Sequence, residues 1–366
     1  MKSKIVLDLP HGKDNPRNSE GSFVTLADGR IMFAYTRYRG ESWDDHASAD
    51  IAARFSSDGG ETWTGQDAIL VANEGRYNVM SASLLRLADK RLALFYLRKN
   101  SAVDCRLWLR VSEDEGRDWS QPTLCIPASG YFVVNNDRVV QLKGGRLLVP
   151  ANYHRSLKKS PESVEIDGRG VATFFFSDDG GRTWQEAAGR LELPASAQSK
   201  NGLQESGVVE LKDGKLYAWA RTGTGWQWEM DSVDQGRTWS EPRQSRFRSP
   251  RSPLSMKRMP KTGDLLAVWN DITPRPGVPD KKMEDGWASD SSWGRTPLAA
   301  AVSGDDGRTW GKAKLLEDDP QRGFCYTAIH FLEDSVLLAY CCGGRSGGVL
   351  QDLCIRKVAL DRLYDR

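Results

Sequence analysis

Histidine and cysteine are scarce in this chain, and no apolar run is long enough to span a bilayer. Its 366 residues include four histidines, placed singly, and six cysteines. The cysteines have neither metal-ligand spacing nor the density of a disulfide framework, so buried free thiols are expected, Cys341 and Cys342 among them, and no metal or cofactor. Charge of one sign is also lacking: Lys plus Arg number 51 against 49 Asp plus Glu. That balance argues against nucleic acid or an anionic membrane as the main partner. No helix-period pattern competes over any long window. The start, Met1 to Asp8, has no apolar core of a signal peptide, so the chain as written is expected to be cytoplasmic. Hydrophobic residues at 39% and charged residues at 27% are those of a chain that folds around a core.

What the chain has in abundance is a repeat. Ser177-Asp178-Asp179-Gly180-Gly181-Arg182-Thr183-Trp184 recurs as Ser56 to Trp63, Ser112 to Trp119 (with Asp118 for Thr), Ser232 to Trp239 and Ser303 to Trp310. Successive tryptophans lie 56, 65, 55 and 71 residues apart, the mark of a repeat architecture. Asp followed by Gly suits a tight turn, because the carboxylate accepts nearby N–H groups while Gly takes positive φ. Trp is large enough to pin that turn against a sheet. Each copy follows strand formers, such as Thr173 to Phe176, so the copies read as strand-turn-strand corners rather than as five carboxylate binding sites.

Between the boxes runs a second repeat of hairpins, with turns at Asp28-Gly29, Asp89, Gly144-Gly145, Asp213-Gly214, Thr262-Gly263 and Glu333-Asp334. Six hairpins, five of them followed by a box strand and a further strand, predict an all-β fold: one six-bladed β-propeller over residues 1–366 with five box turns. Ile5 to Leu7 is expected to pair with the strand within 350–360 and close the ring. Asn152 to Gly170 and Thr273 to Gly294 read as long polar loops.

The repeat aligns the blades with one another. Eight residues before each turn stand Glu20, Ser81, Asn136, Glu205, Ser255 and Tyr326, which predicts a polar ring at one mouth of the central channel. Glu205 and Tyr326 are the informative pair. A phenol with pKa near ~10 is a poor nucleophile at neutral pH, and a carboxylate within hydrogen-bond reach can take its proton.

At this point the chain resembles the sialidases, glycoside hydrolases built on a six-bladed propeller with such box turns (Asp boxes). The resemblance covers essentially the whole chain. Glu205-Ser206-Gly207-Val208-Val209-Glu210-Leu211-Lys212-Asp213-Gly214 is similar to the strand carrying the family's catalytic Glu, and Arg221 follows sixteen residues later, as the second arginine of the family's triad does. Arg295, just before the last box strand, matches the third. Tyr326 opens the sixth inner strand, as the family's nucleophile does. The first blade departs from the pattern. Arg17 is the candidate for the first arginine but lies about two residues further from the turn, and Glu20 has no obvious family equivalent. An acid/base Asp is expected before the first box strand, where Asp44 and Asp45 stand; Asp45 is preferred.

The resemblance implies a retaining exo-sialidase, or an exo-glycosidase on a related acidic sugar. Three arginines would hold the carboxylate on the anomeric carbon through bidentate bonds that Lys cannot reproduce. A Tyr nucleophile activated by Glu avoids bringing a carboxylate against that carboxylate. Asp45 would protonate the leaving oxygen and then activate water. Asn136, Asp137, Arg138, Asn78, His154, Trp226 and Trp228 are weaker candidates for shaping the pocket. The expected partner is an acidic glycan or sialoside. Two rival readings stand beside this one: a lyase or hydrolase of uronate polysaccharides, and a carbohydrate-binding propeller without turnover.

Overall fold

The computed structural model describes residues 3–158, 164–275, 282–344 and 347–364. The fold is all-β, with two single-turn 3-10 helices among the described residues. Every predicted hairpin is present, because Asp-Gly and related turns join segments rich in Val, Leu, Ala and aromatic residues. The first sheet runs Asn18–Thr25, Ile31–Tyr38, Ala49–Ser56, Ala68–Val71 in antiparallel order. Equivalent four-stranded sheets start at Gln204–Glu210 and Ser255–Arg258. A nine-stranded sheet joins the strands from Asn78–Arg86 to Thr123–Leu124 with those from Tyr131–Val133 to Gln185–Glu186, leaving out the separate pair Ser156–Lys158 and Val164–Ile166. Its two halves pair as strands at a single parallel position, Tyr131 with Cys105. The last sheet orders Cys325–Phe331, Ser335–Cys341, Leu353–Ala359 and then Lys4–Leu9 from the opposite end of the chain. The expected pairing of Ile5 to Leu7 is therefore observed.

The core lies between sheets. Alternate residues of each strand face the neighbouring sheet, so separate apolar clusters form at successive contacts. Met80, Phe95 and Leu107 pack with Phe132, Val149 and Phe175; Leu148, Phe174 and Leu203 pack with Val208, Leu216 and Met230. One cluster ties the last sheet to the first, with Leu337, Ala339 and Ile355 against Phe23, Ile31 and Phe33.

The boxes are corners, as the repeat predicts. In the first, Ser56 Oγ donates to Asp58 Oδ1 and accepts the Gly60 N–H, both at 2.8 Å. Asp58 also accepts the Thr62 N–H at 2.9 Å and hydroxyl at 2.6 Å. The same bonds recur around Asp179, where those from the Thr183 hydroxyl and N–H hold the carboxyl down at about 2. These carboxylates are consumed by their own turns.

Segment 152–170 departs from the loop expectation. Leu147–His154 continues as a strand to His154, and Ser156–Lys158 pairs with Val164–Ile166 in a short hairpin. The Thr and Val content of this stretch is low, so its polarity masked the strand. Residues 159–163 fall outside the described residues. In 273–294 the described residues form no strand, only the bridge Glu284 to Trp287.

Candidate active site

Four inner strands carry the same irregularity. Pairing skips between Ser19 and Ser22, Met80 and Ser83, Gln204 and Gly207, and Cys325 and Ala328. At each skip two residues oppose one, a β-bulge. The first residue of each bulge is left-handed: Glu20 (φ 54°), Ser81 (59°), Glu205 (49°) and Tyr326 (60°). Such a backbone costs a residue with a Cβ about 1–2 kcal/mol, and it re-aims the side chain out of the sheet's alternation. All four side chains line one cavity of about 170 Å³, together with Asp45, Lys99, Tyr131, His154, Gln204 and Arg221. Glycine at the bulges lets the rings beneath come close. A Cβ on Gly207 would lie 2.3 Å from the Trp219 ring, and one on Gly21 2.4 Å from Phe33.

The other two members of the predicted ring go elsewhere. In the third sheet the left-handed residue is Asp137 (φ 58°), one position later than expected. Asn136 reaches across to donate to Gly21 O at 2.7 Å and Tyr326 O at 3.1 Å. Asp137 accepts Ser22 Oγ (2.8 Å), Lys257 Nζ (2.7 Å) and the Ile329 N–H (2.9 Å), so it joins sheets rather than lining the cavity. The strand Ser255–Arg258 has no bulge; Ser255 Oγ donates to Thr327 O at 2.6 Å. Asn136 and Asp137 were expected at the substrate. The Asn136 amide nitrogen and the Asp137 carboxylate are engaged by the protein as braces between sheets, while Asn136 Oδ1 is buried without a partner.

Tyr326 and Glu205 meet as expected. Tyr326 Oη donates to Glu205 Oε1 at 2.9 Å. Arg221 Nη1 lies 2.8 Å from Glu205 Oε2 and 3.4 Å from Tyr326 Oη, and its Nη2 donates to Gln204 at 2.5 Å. Arg221 reaches them because it faces Gln204 across the strand pair. Burial, then the Glu205 carboxylate, push the Tyr326 phenol well above its ordinary pKa. Arg295 packs against the same tyrosine, its Cζ 5.4 Å from the ring centre, and donates to Cys325 Sγ at 3.0 Å. The Nε atoms of Arg17, Arg221 and Arg295 are all buried without a protein partner.

On the first sheet's side, Arg17 is 1% exposed. It donates to Asp45 Oδ1 (2.6 Å), Trp43 O (3.3 Å), Glu20 Oε1 (3.2 Å) and Ser19 Oγ (3.4 Å). Glu20 also accepts the Ser81 hydroxyl. Burial raises the Glu20 carboxyl, and Arg17 and Ser81 only partly reverse the shift. Asp45 keeps 59% of its side-chain surface in solvent while forming part of the cavity wall. Its surroundings raise its pKa by desolvation, but Arg17 and then Lys99 more than reverse this, holding it well below the usual carboxylate range. Asp44 is turned to solvent, capping its own turn by accepting the His46 N–H at 2.8 Å. Of the two acids, Asp45 is the one in the cavity.

Sequence reasoning missed Lys99 and Tyr131. Lys99 stands opposite Asn78, two residues beyond the register that Arg221 occupies on its own sheet, and its Nζ donates to Asp45 O at 3.2 Å. A cation eighteen residues after the bulge Ser81 was the available signal. Tyr131 gave none, since the contact of its strand with the second sheet is one residue pair.

A model of the BNR repeat-like domain matches residues 34–338. The chain belongs to this BNR repeat family, within the sialidase superfamily of β-propellers. It is 27% identical over 329 residues to an anhydrosialidase of Macrobdella decora, covering 84% of this chain and 39% of that protein. The chain thus spans about two fifths of the length of that relative. Among solved structures, the NanB sialidase of Streptococcus pneumoniae superposes with TM-score 0.71 at 14% identity, over 100% of this chain and 71% of that one. The intramolecular trans-sialidase of Ruminococcus gnavus superposes with TM-score 0.69 at 16% identity, over 99% and 98%. At such identities the structural likeness speaks for the fold alone.

Proposed function

We propose that this chain is a retaining exo-α-sialidase-like glycoside hydrolase acting on a terminal sialic acid or a related acidic sugar. One observation carries the reading: Tyr326 Oη donates to Glu205 Oε1 at 2.9 Å with Arg221 against both. Glu205 takes the phenolic proton as the tyrosine oxygen bonds to the anomeric carbon; Asp45, ionised in the free site, takes up a proton from solvent on substrate binding and passes it to the departing aglycone oxygen. Water activated by Asp45 then displaces tyrosine, which regains its proton from Glu205, and two inversions give net retention. The likeness to an anhydrosialidase supports the substrate class. The scaffold assigned is a single propeller of six blades, its nine-stranded sheet counting as two; the cluster between the last and first sheets supports closure of the ring.

The test is release of 4-methylumbelliferone from its α-sialoside by wild type and Tyr326→Phe. Turnover is expected to fall at least ~100-fold with an unchanged melting temperature. Near-normal turnover by the variant would sink the nucleophile assignment. The rival reading is a lyase or hydrolase of uronate polysaccharides on the same propeller. A near-ultraviolet absorbing product from a uronate polysaccharide would favour that reading.

A further inference from the structure

We infer that the substrate carboxylate is held by Arg221, Arg295 and Arg251, and that Arg17 belongs to the scaffold. The inference rests on the acidic-sugar reading and changes which residues carry it.

Arg17 has its terminal nitrogens fully engaged, and only its buried Nε lacks a partner. Its two terminal nitrogens carry four N–H bonds, and four acceptors surround them: Asp45, Trp43 O, Glu20 and Ser19. Its guanidinium also lies on the Tyr38 ring, 4.6 Å from the centre. A substrate carboxylate could reach it only by displacing Asp45 or Glu20, and both present like charge on that side. Arg17 instead clamps the Asp45 loop to the first inner strand.

On the Arg221 side two further cations stand behind the residues that line the cavity. Arg295 Cζ lies 5.4 Å from the Tyr326 ring centre and 5.8 Å from that of Trp287; Arg251 Cζ lies 4.8 Å from the same Trp287 ring. One indole therefore carries both guanidiniums beside the tyrosine that Arg221 touches. Arg251 is fixed there on its own account. Its N–H donates to Gly286 O at 2.8 Å, and its Nη1 donates to Asn201 Oδ1 at 2.8 Å. Asn201 is held in turn by Asp285. Gly286 (φ 74°) permits the approach, since a Cβ on it would meet Arg251 N at 2.8 Å and Gly223 Cα at 3.1 Å. This brings the Arg251 loop against the end of the strand bearing Arg221. Burial, then Arg221 and Arg295, depress the Arg251 pKa, as expected for like charges gathered to face an anion.

The experiment compares Arg251→Met, Arg251→Lys and Arg17→Met with wild type on 4-methylumbelliferyl α-sialoside, with melting temperatures alongside. Loss of a charge-assisted bond in the clamp should raise KM about 20-fold in Arg251→Met, with kcat within about threefold. Arg251→Lys should fall between, because an ammonium cannot form two parallel bonds. Arg17→Met should lower the melting temperature and kcat, through Asp45, and leave KM within about threefold. KM within twofold of wild type in Arg251→Met would overturn the inference, as would a large KM rise in Arg17→Met without loss of stability. If wild type hydrolyses no sialoside, the proposed function fails, and calorimetry with N-acetylneuraminate and D-glucuronate tests the clamp separately. Binding of either acid that weakens about 20-fold in Arg251→Met upholds the clamp. Binding insensitive to that change, or no binding of either, overturns it.

Discussion

Replacing Asp45 by Asn separates its part in catalysis from its part in the fold. Asn keeps the shape and an acceptor for Arg17 but loses the charge and the proton. Arg17 is 1% exposed and Asp45 59% exposed at the side chain, so the pair lies between two regimes. Exposed pairs contribute under about 1 kcal/mol, and breaking a buried pair costs about 3–5 kcal/mol. Glu20 remains beside Arg17 at 3.2 Å, so a loss of about 1–2 kcal/mol is expected, seen as a melting temperature a few degrees lower. The sign with pH follows from the depressed Asp45 pKa. Its stabilisation is fully present above the unfolded value of about 3.9 and is lost as pH falls toward the folded one. The gap between wild type and variant should therefore close in acid and stay constant from pH 5 upward. Catalysis discriminates further. A sugar alkoxide is strongly basic and leaves only when protonated, so loss of the acid should cost about 10²–10⁴ in kcat/KM on 3'-sialyllactose. Methylumbelliferone leaves as a stabilised phenolate, so kcat/KM on its sialoside, which reports the first step, should fall less than about 10-fold. Equal losses on the two substrates would refute the acid role of Asp45 and leave it a loop anchor.

Two further outcomes test the scaffold. Gly207→Ala places a methyl 2.3 Å from the Trp219 ring; overpacking should cost about 1–3 kcal/mol and disturb Glu205 two residues away, lowering both melting temperature and kcat. An unchanged kcat would show that the bulge tolerates the ring's displacement. Asp179→Ala removes the bonds to Thr183 and Ser177, so thermal unfolding should come a few degrees earlier while KM and kcat stay within about twofold; a change in KM would return the boxes to the list of binding sites.

Much of this was legible in the chain itself. The box turns use only residues within eight positions of one another, so their spelling already contains their hydrogen bonds. Hairpins joined by Asp-Gly are local for the same reason, and their repetition aligned Glu20, Ser81, Glu205 and Tyr326 before any coordinates. The count failed at the third and fifth inner strands. A bulge is placed by how a strand meets its partner and the neighbouring sheet, and nothing within ten residues of Asn136 or Ser255 records that. Segment 156–166 shows the limit for a short polar hairpin, which lacks the apolar alternation that reveals longer strands.

The repeat, the all-β class and the meeting of a carboxylate with a tyrosine at one level can be read along the chain, because each follows from local turn chemistry repeated at regular intervals. Which charges meet depends on how the sheets pack. Arg17 and Arg251 are both isolated arginines in polar loops when read along the chain. Packing buries the first between Asp45 and Glu20 and sets the second on Trp287 beside Arg295. Charges act through space over a few ångströms, and separations of 28 residues from Arg17 to Asp45 or 36 from Arg251 to Trp287 carry no information about such distances until the sheets have packed.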